Sequence, residues 1–599
     1  MQYMKRILLT ILFTLSVVCA YVGCSFPLST LPLVVSGAEP AALTALNKNA
    51  RKAAVSGTNG SRYAYFAFSE AQRGNYVSLA ASEGAVSLEI EISAPISAAY
   101  AETAASDRRF AFGLLYDSDF SASGRLRSAL ADRPMAAGVF SSENRQFRVA
   151  YAVPAAQAGR VRGFFFYTAV SAAVTAASVI PGEVGFDFSG EVPRFCFAGN
   201  GGSVPETGAA AFTAFDFTEA DSVFGSGYTG GEFVPVFTVS LRETGGGFGS
   251  VENQTQVKLS FGGETVSIRR APGQTAVSVH AAALRSAFSR VSAESNADMI
   301  RGVSLHFIPS GRRDTGTVIQ PLRTDPGLIP AWPSAVWRSA DYELFEWEQF
   351  PGVLFFDTAN YAVQDQFFKR LAFFTEKTGY IGTLVPDGVL NGKHGFNAHD
   401  YRPETLADFF TLAERTSFPL SEKELLLKEI LLCNGVIAAD AAAPGTYRPG
   451  IGGVISVSQE SPLYLRHSFV AHEGLHGLYF IDADFRTTVS QVFSRMDPLS
   501  LQFLIRYFQV QPSLNYNTAD TYLLENEFMA YIMQQPVSRT GNYFVTRASW
   551  NSMTAAEPEL CAYVKATGGS GFTDAARILN EYVFRRWGFS AGRVSLVTR

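Results

Sequence analysis

The first half of the chain alternates apolar and polar residues in short runs that end at glycine or polar turns. Residues 86–92 (VSLEIEI) alternate strictly, which is typical of a half-buried strand. Similar runs predict strands over residues 110–116, 147–153 and 163–167. Evenly spaced short strands with few helical runs favour a β-sandwich, so we predict an all-β, sandwich-like domain over residues 51–195.

A glycine-rich break at residues 199–202 (GNGG) separates this region from a second β-rich stretch, for which we predict a domain over residues 205–320. Residues 234–241 predict one of its strands, and residues 281–290 predict a helix. The two β-rich regions could form two small sandwiches or one larger one. Prolines at positions 321, 326, 330 and 333 then favour an extended connector.

The pattern changes to helical periods after about residue 345. Residues 362–378 form an amphipathic run, and Gly379 after it suits a helix C-cap. Ser421 and Glu424 have the spacing of a capping box at the start of another helix. We therefore predict a multidomain protein whose C-terminal domain, residues 345–599, is α+β and rich in helices.

Composition places the chain among ordered globular proteins and argues against one class of function. Hydrophobic residues make up 47% and charged residues 17% of the chain, which is too apolar for a disordered protein. The net charge of −5 argues against nucleic-acid binding through bulk electrostatics. Cys196, Cys433 and Cys561 are too widely spaced for a disulfide framework, although they allow one disulfide in a pair that the sequence does not assign.

The N-terminus has the layout of a secretory signal peptide over residues 1–23. Two basic residues precede an apolar run, residues 7–20, that is short for a membrane span. Gly23 before Cys24 resembles a bacterial lipobox, which implies lipid modification of Cys24 and a membrane anchor. Ordinary secretion without the lipid is the alternative. Residues 24–50 then predict a spacer.

The strongest candidates for functional residues are His472, Glu473 and His476, which form the pattern His-Glu-x-x-His. Two histidines four residues apart share one helical face, so both imidazoles can reach a single ion. Zinc binds neutral imidazole, and the adjacent glutamate can act on water beside the metal. The flanking residues are uncharged, and the chain has only seven histidines. The alternative is a core helix with two hydrogen-bonded histidines.

This motif resembles the zincin metallopeptidases, and a later segment resembles their gluzincin branch. There the third zinc ligand is a glutamate on a later helix. Asn526 and Glu527, followed by small Ala530, are similar to that second motif, and Glu527 lies 51 residues after His476. Glu525 is the rival candidate for the third ligand.

A different third ligand would follow from the metzincin branch. Asp482 lies six residues after His476, which fits that branch when aspartate replaces its last histidine. The turn there normally requires glycine, whereas this chain has Tyr479, which adopts a left-handed backbone only at a cost. Asp482 and Asp484 are better candidates for accepting the outer N–H of a ligand histidine.

The resemblance implies that His472, His476 and Glu527 bind Zn²⁺. It also implies that Glu473 is the general base, which takes a proton from water and delivers it to the leaving amine. Tyr531 lies one turn beyond Glu527 and is the candidate second catalytic residue, donating to the oxyanion.

Residues around this motif supply further candidates for the cleft. Residues 453–458 alternate like a strand whose free edge could bind an extended peptide, and Ser461 is the predicted N-cap of the zinc helix. His394 and His399 belong to a polar cluster that could line the cleft. Tyr543, on a predicted loop, is a weaker candidate.

We therefore predict an exported zinc metallopeptidase, a hydrolase of peptide or protein substrates, anchored through Cys24 in a bacterial cell envelope. It would lie in the periplasm or on the cell surface. The β-rich modules could bind a glycan or another protein. The alternative is a surface adhesion or binding lipoprotein with an inactive peptidase-like domain.

Overall fold

A computed structural model describes residues 31–47, 54–55, 62–94, 109–121, 124–126, 136–139, 146–168, 172–182, 194–198, 214–216, 233–242, 249–251, 253–284, 290–309, 321–514 and 516–599. The predicted signal peptide and Cys24 lie outside them. The chain divides into two compact units, one holding most of the chain up to Phe195 and the other running from Ser226 to Arg599. β-Sheets dominate the N-terminal half and helices the C-terminal half.

The first unit is built from short strands with one long helix among its described residues. Its elements are β1 (Pro32–Val35), β2 (Ala41–Ala42), β3 (Thr44–Ala45), β4 (Ala54–Val55), β5 (Arg62–Ala67), α1 (Glu70–Glu83), β6 (Ala85–Ser93), β7 (Arg109–Tyr116), β8 (Ala136–Val139), β9 (Gln146–Pro154), α2 (Ala155–Ala158), β10 (Val161–Thr168), β11 (Ala172–Pro181) and, at its boundary, β12 (Arg194–Ala198). One sheet has the order β12-β9-β6-β11-β1-β2, with β4 beside β11, and a second has the order β3-β5-β10-β7-β8. The four strands predicted here, β6, β7, β9 and β10, are confirmed.

Two features of the first unit differ from the sequence prediction. Helix α1 went unpredicted, although Ser69 and Gln72 form a complete capping box before it. The predicted spacer over residues 24–50 is wrong where the structure describes it, because β1 pairs in parallel with β11. Leu33 and Val35 alternate with exposed residues and are buried, a short pattern that the surrounding alanines and prolines obscure.

The second unit contains several β-sheets and most of the helices. Its elements are β13 (Ala214–Asp216), β14 (Phe233–Leu241), β15 (Gln256–Phe261), β16 (Glu264–Arg269), β17 (Ala276–His280), β18 (Arg290–Ser295), β19 (Ile300–Pro309), β20 (Leu322–Thr324), β21 (Tyr342–Trp347), β22 (Val353–Thr358), α3 (Tyr361–Thr375), α4 (Asp387–Leu390), β23 (His399–Tyr401), α5 (Pro403–Arg415), α6 (Glu422–Cys433), β24 (Ile437–Ala439), β25 (Tyr447–Pro449), β26 (Gly453–Ser458), α7 (Leu463–Ile481), α8 (Ala483–Arg495), α9 (Pro498–Val510), α10 (Thr521–Met533), α11 (Val537–Arg547), α12 (Asn551–Ala556), α13 (Pro558–Ala566), α14 (Ser570–Trp587) and β27 (Val597–Thr598). The last strand, β27, pairs antiparallel with β16, so the chain end joins the sheet β13-β18-β15-β16-β27.

The segment between the β-rich and helix-rich parts is packed rather than extended. The predicted connector contains β20 and two 3₁₀ turns, Pro326–Ala331 and Ser334–Val336. Leu328, Ile329 and Trp332 are buried there, because the prolines break regular structure without preventing burial. The helix predicted over residues 281–290 is also wrong at both described ends: Ala281–Ala283 is a 3₁₀ turn, and Arg290 begins β18.

The helix-rich part follows its sequence signals closely. The predicted capping box of Ser421 and Glu424 is present at the start of α6. Helix α3 ends at Thr375, earlier than predicted, and Glu376 is its C-cap instead of Gly379. Around these helices, phenylalanine, leucine and tyrosine side chains form a continuous buried core.

The sheet beside the predicted zinc helix has the order β20-β21-β22-β26-β23. Strand β26 pairs in parallel with β22 and antiparallel with β23, so it has no free edge. The prediction that a peptide adds to residues 453–458 is therefore wrong. The edge belongs to β23, which lies in the polar cluster around His394 and His399.

No helix among the described residues is long and apolar enough to cross a membrane. Neither Cys433 nor Cys561 forms a disulfide among the described residues, and Cys561 is buried. These two cysteines are therefore not joined to each other.

Candidate metal centre

Helix α7 carries the His-Glu-x-x-His motif and lies close against the sheet. A Cβ atom added at Gly474 would lie 2.6 Å from Val594 Cγ2, and one added at Gly477 would lie 3.1 Å from Ile455 Cδ1. Contacts below 3.0 Å are not tolerated without movement, so the glycine at position 474 permits this close approach. The apolar flanks of the motif thus bury one side of the helix and leave the histidine side for the cavity.

A buried ion pair fixes the first turn of α7. Arg466 Nη1 and Nη2 each lie 2.8 Å from one carboxylate oxygen of Asp357 on β22. Gln459 donates a further hydrogen bond of 2.7 Å to Asp357. The N-cap is Pro462, so the prediction of Ser461 is wrong by one residue; the Ser461 hydroxyl instead bonds the Tyr361 hydroxyl.

The structure brings the two predicted ligand histidines together with Glu527 from α10. His472 Nε2 lies 3.8 Å from Glu527 Oε2, and His476 Nε2 lies 3.9 Å from Glu527 Oε1. All three side chains are buried. One atom from each residue can face a common point, and the three could hold a metal ion.

The three residues fit Zn²⁺ by the state of their polar atoms. Both ring nitrogens of His476, Nδ1 of His472 and Oε2 of Glu527 are buried without a hydrogen-bond partner. An unpartnered buried polar group costs about 1–3 kcal/mol, so several in one place point to a missing partner. Burial and neighbouring His476 hold the pKa of His472 well below its usual value, which keeps the imidazole in the neutral form that binds metals.

The rival ligands lie elsewhere. Glu525 is two residues from Glu527, on the other side of α10, and accepts hydrogen bonds from Ser490 and Tyr479. Asp482 caps α8 through the Phe485 N–H. Its other carboxylate oxygen pairs with Arg586 at 2.7 Å, and Asp484 also lies beside Arg586. Neither aspartate makes the predicted contact with a ligand histidine.

Asp400, rather than Asp482, lies beside His476. Its Oδ2 lies 3.8 Å from Nδ1 of His476, and Asn526 donates a hydrogen bond to its carboxylate. Alternation along β23 explains the placement, because His399 and Tyr401 bond each other on one face while Asp400 points to the other. The polar cluster was predicted to act through its histidines, and the aspartate that follows His399 was overlooked.

Carboxylates dominate the charge of the site. Burial, and then the charges of Asp400, Glu527 and Glu376, raise the pKa of Glu473 well above its usual value. Burial, and then Asp400 and Glu376, raise the pKa of Glu527 in the same way. Such carboxylates ionise together only if a cation compensates them, which a divalent metal would do.

Aromatic hydroxyls and amides form the other wall of the site. The Tyr531 ring lies 5.0 Å from the His472 ring, and Tyr516 donates a hydrogen bond to Glu527. Gln534 bonds both His472 and the Tyr543 hydroxyl. Tyr543 lies on helix α11, so the predicted loop is wrong. Tyr516 and Gln534 went unpredicted because no motif marks them.

These side chains open into one cavity of about 440 Å³. Its walls include His394 and His399, in agreement with the prediction that the polar cluster lines the cleft. His394 itself bonds Asp365 and Asn397. The cavity therefore extends from the edge strand β23 to the histidines of α7.

No protein-family model, curated protein or solved structure matches the chain. The chemistry of the site rests on its own residues. Two imidazoles and a carboxylate form the kind of donor set that leaves an open position on zinc. A second carboxylate, Glu473, lies beside them and can exchange a proton with a bound molecule.

Proposed function

We propose that the protein is a zinc-dependent peptidase that hydrolyses peptide bonds in the cavity between β23 and α7. The observation that carries the proposal is the meeting of His472, His476 and Glu527, from two helices, with buried polar atoms that lack partners. The export signal and the sandwich-like β modules remain predictions from the sequence.

Zn²⁺ bound by these three residues would supply Lewis-acid activation of the scissile carbonyl and of water. Glu473 takes the proton from the attacking water and delivers it to the leaving nitrogen. Burial and the neighbouring carboxylates favour the protonated form of Glu473, and a bound cation would favour the ionised form that accepts the proton. Tyr531, beside His472, donates its hydroxyl to the developing oxyanion.

Residues behind the ligands hold them in position. Asp400 faces Nδ1 of His476 and is itself held by Asn526, so the Asn-Glu pair of α10 serves both the metal and its surroundings. Tyr516 orients Glu527 by hydrogen bonding. The open edge of β23 can pair with an extended peptide, which would place a peptide bond beside the histidines.

Zinc content and peptide cleavage test the proposal together. We expect about one zinc per chain in the parent and in Glu473→Gln, with cleavage of a mixed peptide library by the parent alone. Glu527→Ala should lose zinc, whereas Glu525→Ala, a matched carboxylate removal on the same helix, should keep it.

The outcomes separate the two candidate functions. Zinc-free protein from a zinc-replete preparation would contradict the metal site itself. Zinc binding without cleavage of diverse peptides would favour the binding lipoprotein with an inactive domain. Retained cleavage in Glu473→Gln would remove the general base from the mechanism.

A further inference from the structure

Among the described residues that line the cavity, Arg547 is the only lysine or arginine. It ends helix α11, and its guanidinium lies 3.7 Å from the ring centre of Tyr543 and 4.7 Å from that of Trp550. Aromatic faces hold a guanidinium in place without neutralising its charge. Its Nε is buried without a hydrogen-bond partner.

Arg547, which is partly exposed, differs from the buried arginines of this unit. Arg338, Arg370 and Arg466 each pair with a carboxylate, at Glu343, Glu424 and Asp357. Within the described part of the chain, Arg547 has no such ion pair. The hydroxyls of Tyr507 and Tyr543 are its hydrogen-bonding neighbours, and both are neutral. A positive charge is therefore available to whatever enters the cavity.

Arg547 is also close to the candidate metal centre. Gln534 hydrogen-bonds His472 and Tyr543, and Tyr543 in turn hydrogen-bonds Arg547. The rings of His472, Tyr531 and Tyr507 follow a second path, with centroids 5.0 and 6.0 Å apart. An extended peptide covers about 3.3–3.6 Å per residue, so a short extended peptide at the histidines could reach the guanidinium.

We propose that Arg547 binds a carboxylate of the substrate, within a few residues of the scissile bond. This inference rests on the proposed peptidase function and specifies its substrate class. A guanidinium fork matches a carboxylate in two hydrogen bonds, and Tyr507 and Tyr543 keep the fork oriented. The carboxylate comes from the C-terminus of the peptide or from an aspartate or glutamate side chain. A guanidinium binds either source through the same hydrogen bonds.

Binding measurements on zinc-loaded Glu473→Gln protein test the inference without cleavage. The probes are N-acetylated tetra-alanine with a free C-terminus, the same peptide as its C-terminal amide, and amides carrying one glutamate at each position. Calorimetry should show at least one carboxylate probe binding about 10- to 100-fold more tightly than the neutral amide. Adding Arg547→Gln should remove that preference, and Arg547→Lys should restore part of it.

Arg539→Gln is the matched control, since Arg539 is an exposed arginine on the same helix. It should leave the preference unchanged. Zinc content and thermal unfolding of each variant show that the site is intact.

The results distinguish the source of the carboxylate. They also show whether a failure concerns Arg547 alone or the peptidase function as well. Preference for the free C-terminus alone indicates trimming from that end, and preference for a glutamate position indicates an acidic side chain. Equal binding of neutral and charged probes, with Arg547→Gln without effect, would overturn the role of Arg547 and leave the peptidase proposal standing. If no probe binds and the parent cleaves nothing, the peptidase proposal fails and this inference fails with it.

Discussion

Helix α7 holds two groups of buried charges that follow opposite rules. Near its start, Arg466 and Asp357 neutralise each other, and every carboxylate oxygen has a donor. Two turns later, Glu473 of the same helix and Glu527 of α10 lie near histidines, and no lysine or arginine of the described chain pairs with Glu527. In the first group an arginine balances the carboxylate, whereas the second group lacks a cation.

The difference separates a structural site from a functional one. A buried carboxylate whose oxygens are paired with an arginine fixes two elements and requires no cation from outside. Unpartnered atoms on both histidines and on Glu527 instead raise the free energy of the empty site, and a bound cation would recover that cost. The predictions below test whether buried charged and titratable groups follow these two rules.

The largest change in the free energy of unfolding is expected for Arg466→Met. Removing the guanidinium leaves Asp357 buried without its partner, which should destabilise the protein by about 3–5 kcal/mol. Thermal and denaturant unfolding measure the change. Arg586→Gln breaks a pair whose arginine is 45% exposed, and should cost less than about 1 kcal/mol. Equal effects of the two variants would contradict the distinction between buried and exposed pairs.

The next largest change concerns the pH dependence of stability that arises from His280, a buried histidine outside the candidate metal centre. Its Nε2 lies 2.8 Å from the Arg323 carbonyl oxygen, and its ring packs 4.7 Å from the Trp332 ring. Burial lowers the pKa of His280 from 6.5 to about 4, although the Arg323 carbonyl opposes the shift and the Arg338 charge adds to it. As the pH falls, His280 therefore binds a proton at a higher pH in the unfolded chain than in the folded protein.

Stability from His280 is fully present above pH 6.5 and is lost as the pH falls towards about 4. The loss attributable to His280 should approach about 3 kcal/mol. Unfolding free energies between pH 7 and 4 should fall less steeply for His280→Gln than for the parent. Parallel curves for the two proteins would show that His280 does not carry this dependence.

A smaller effect, with a sign that depends on zinc, is expected for Glu527→Gln. In metal-free protein at pH 8, removing one of several crowded carboxylates should stabilise the fold by about 1 kcal/mol. With zinc present, the same change removes a ligand and should destabilise the protein relative to the parent. Melting temperatures with chelator and with zinc provide the measurement, and the same sign in both would argue against a metal at this position.

Local sequence signals predicted individual elements well. Strict alternation identified β6, and the capping box located the start of α6. The same kind of signal at Ser69 and Gln72 was present but unused, so helix α1 was missed. Errors occurred where burial overrides composition, as in the proline-rich segment around Trp332 and the alanine-rich segment that contains Leu33.

The residues of the candidate site also divide into those that the sequence indicates and those that only the structure brings together. His472, Glu473 and His476 are set by spacing on one helix, which a sequence displays directly. The choice between Glu525 and Glu527 required the rotation of α10 against α7, since two residues turn a helix to its opposite side. Asp400, Tyr516 and Arg547 come from other elements and carry no motif.

By itself, the sequence determined the helical face that presents two imidazoles and the general alternation of strands and helices, because both depend on neighbours within a few residues. The tertiary structure alone decided that β23 rather than β26 forms the sheet edge, and that Asp400 lies behind His476. It also decided that Arg547 lines the cavity without an ion pair among the described residues. These relations depend on how distant segments pack, and packing is fixed by shape and burial summed over the whole unit.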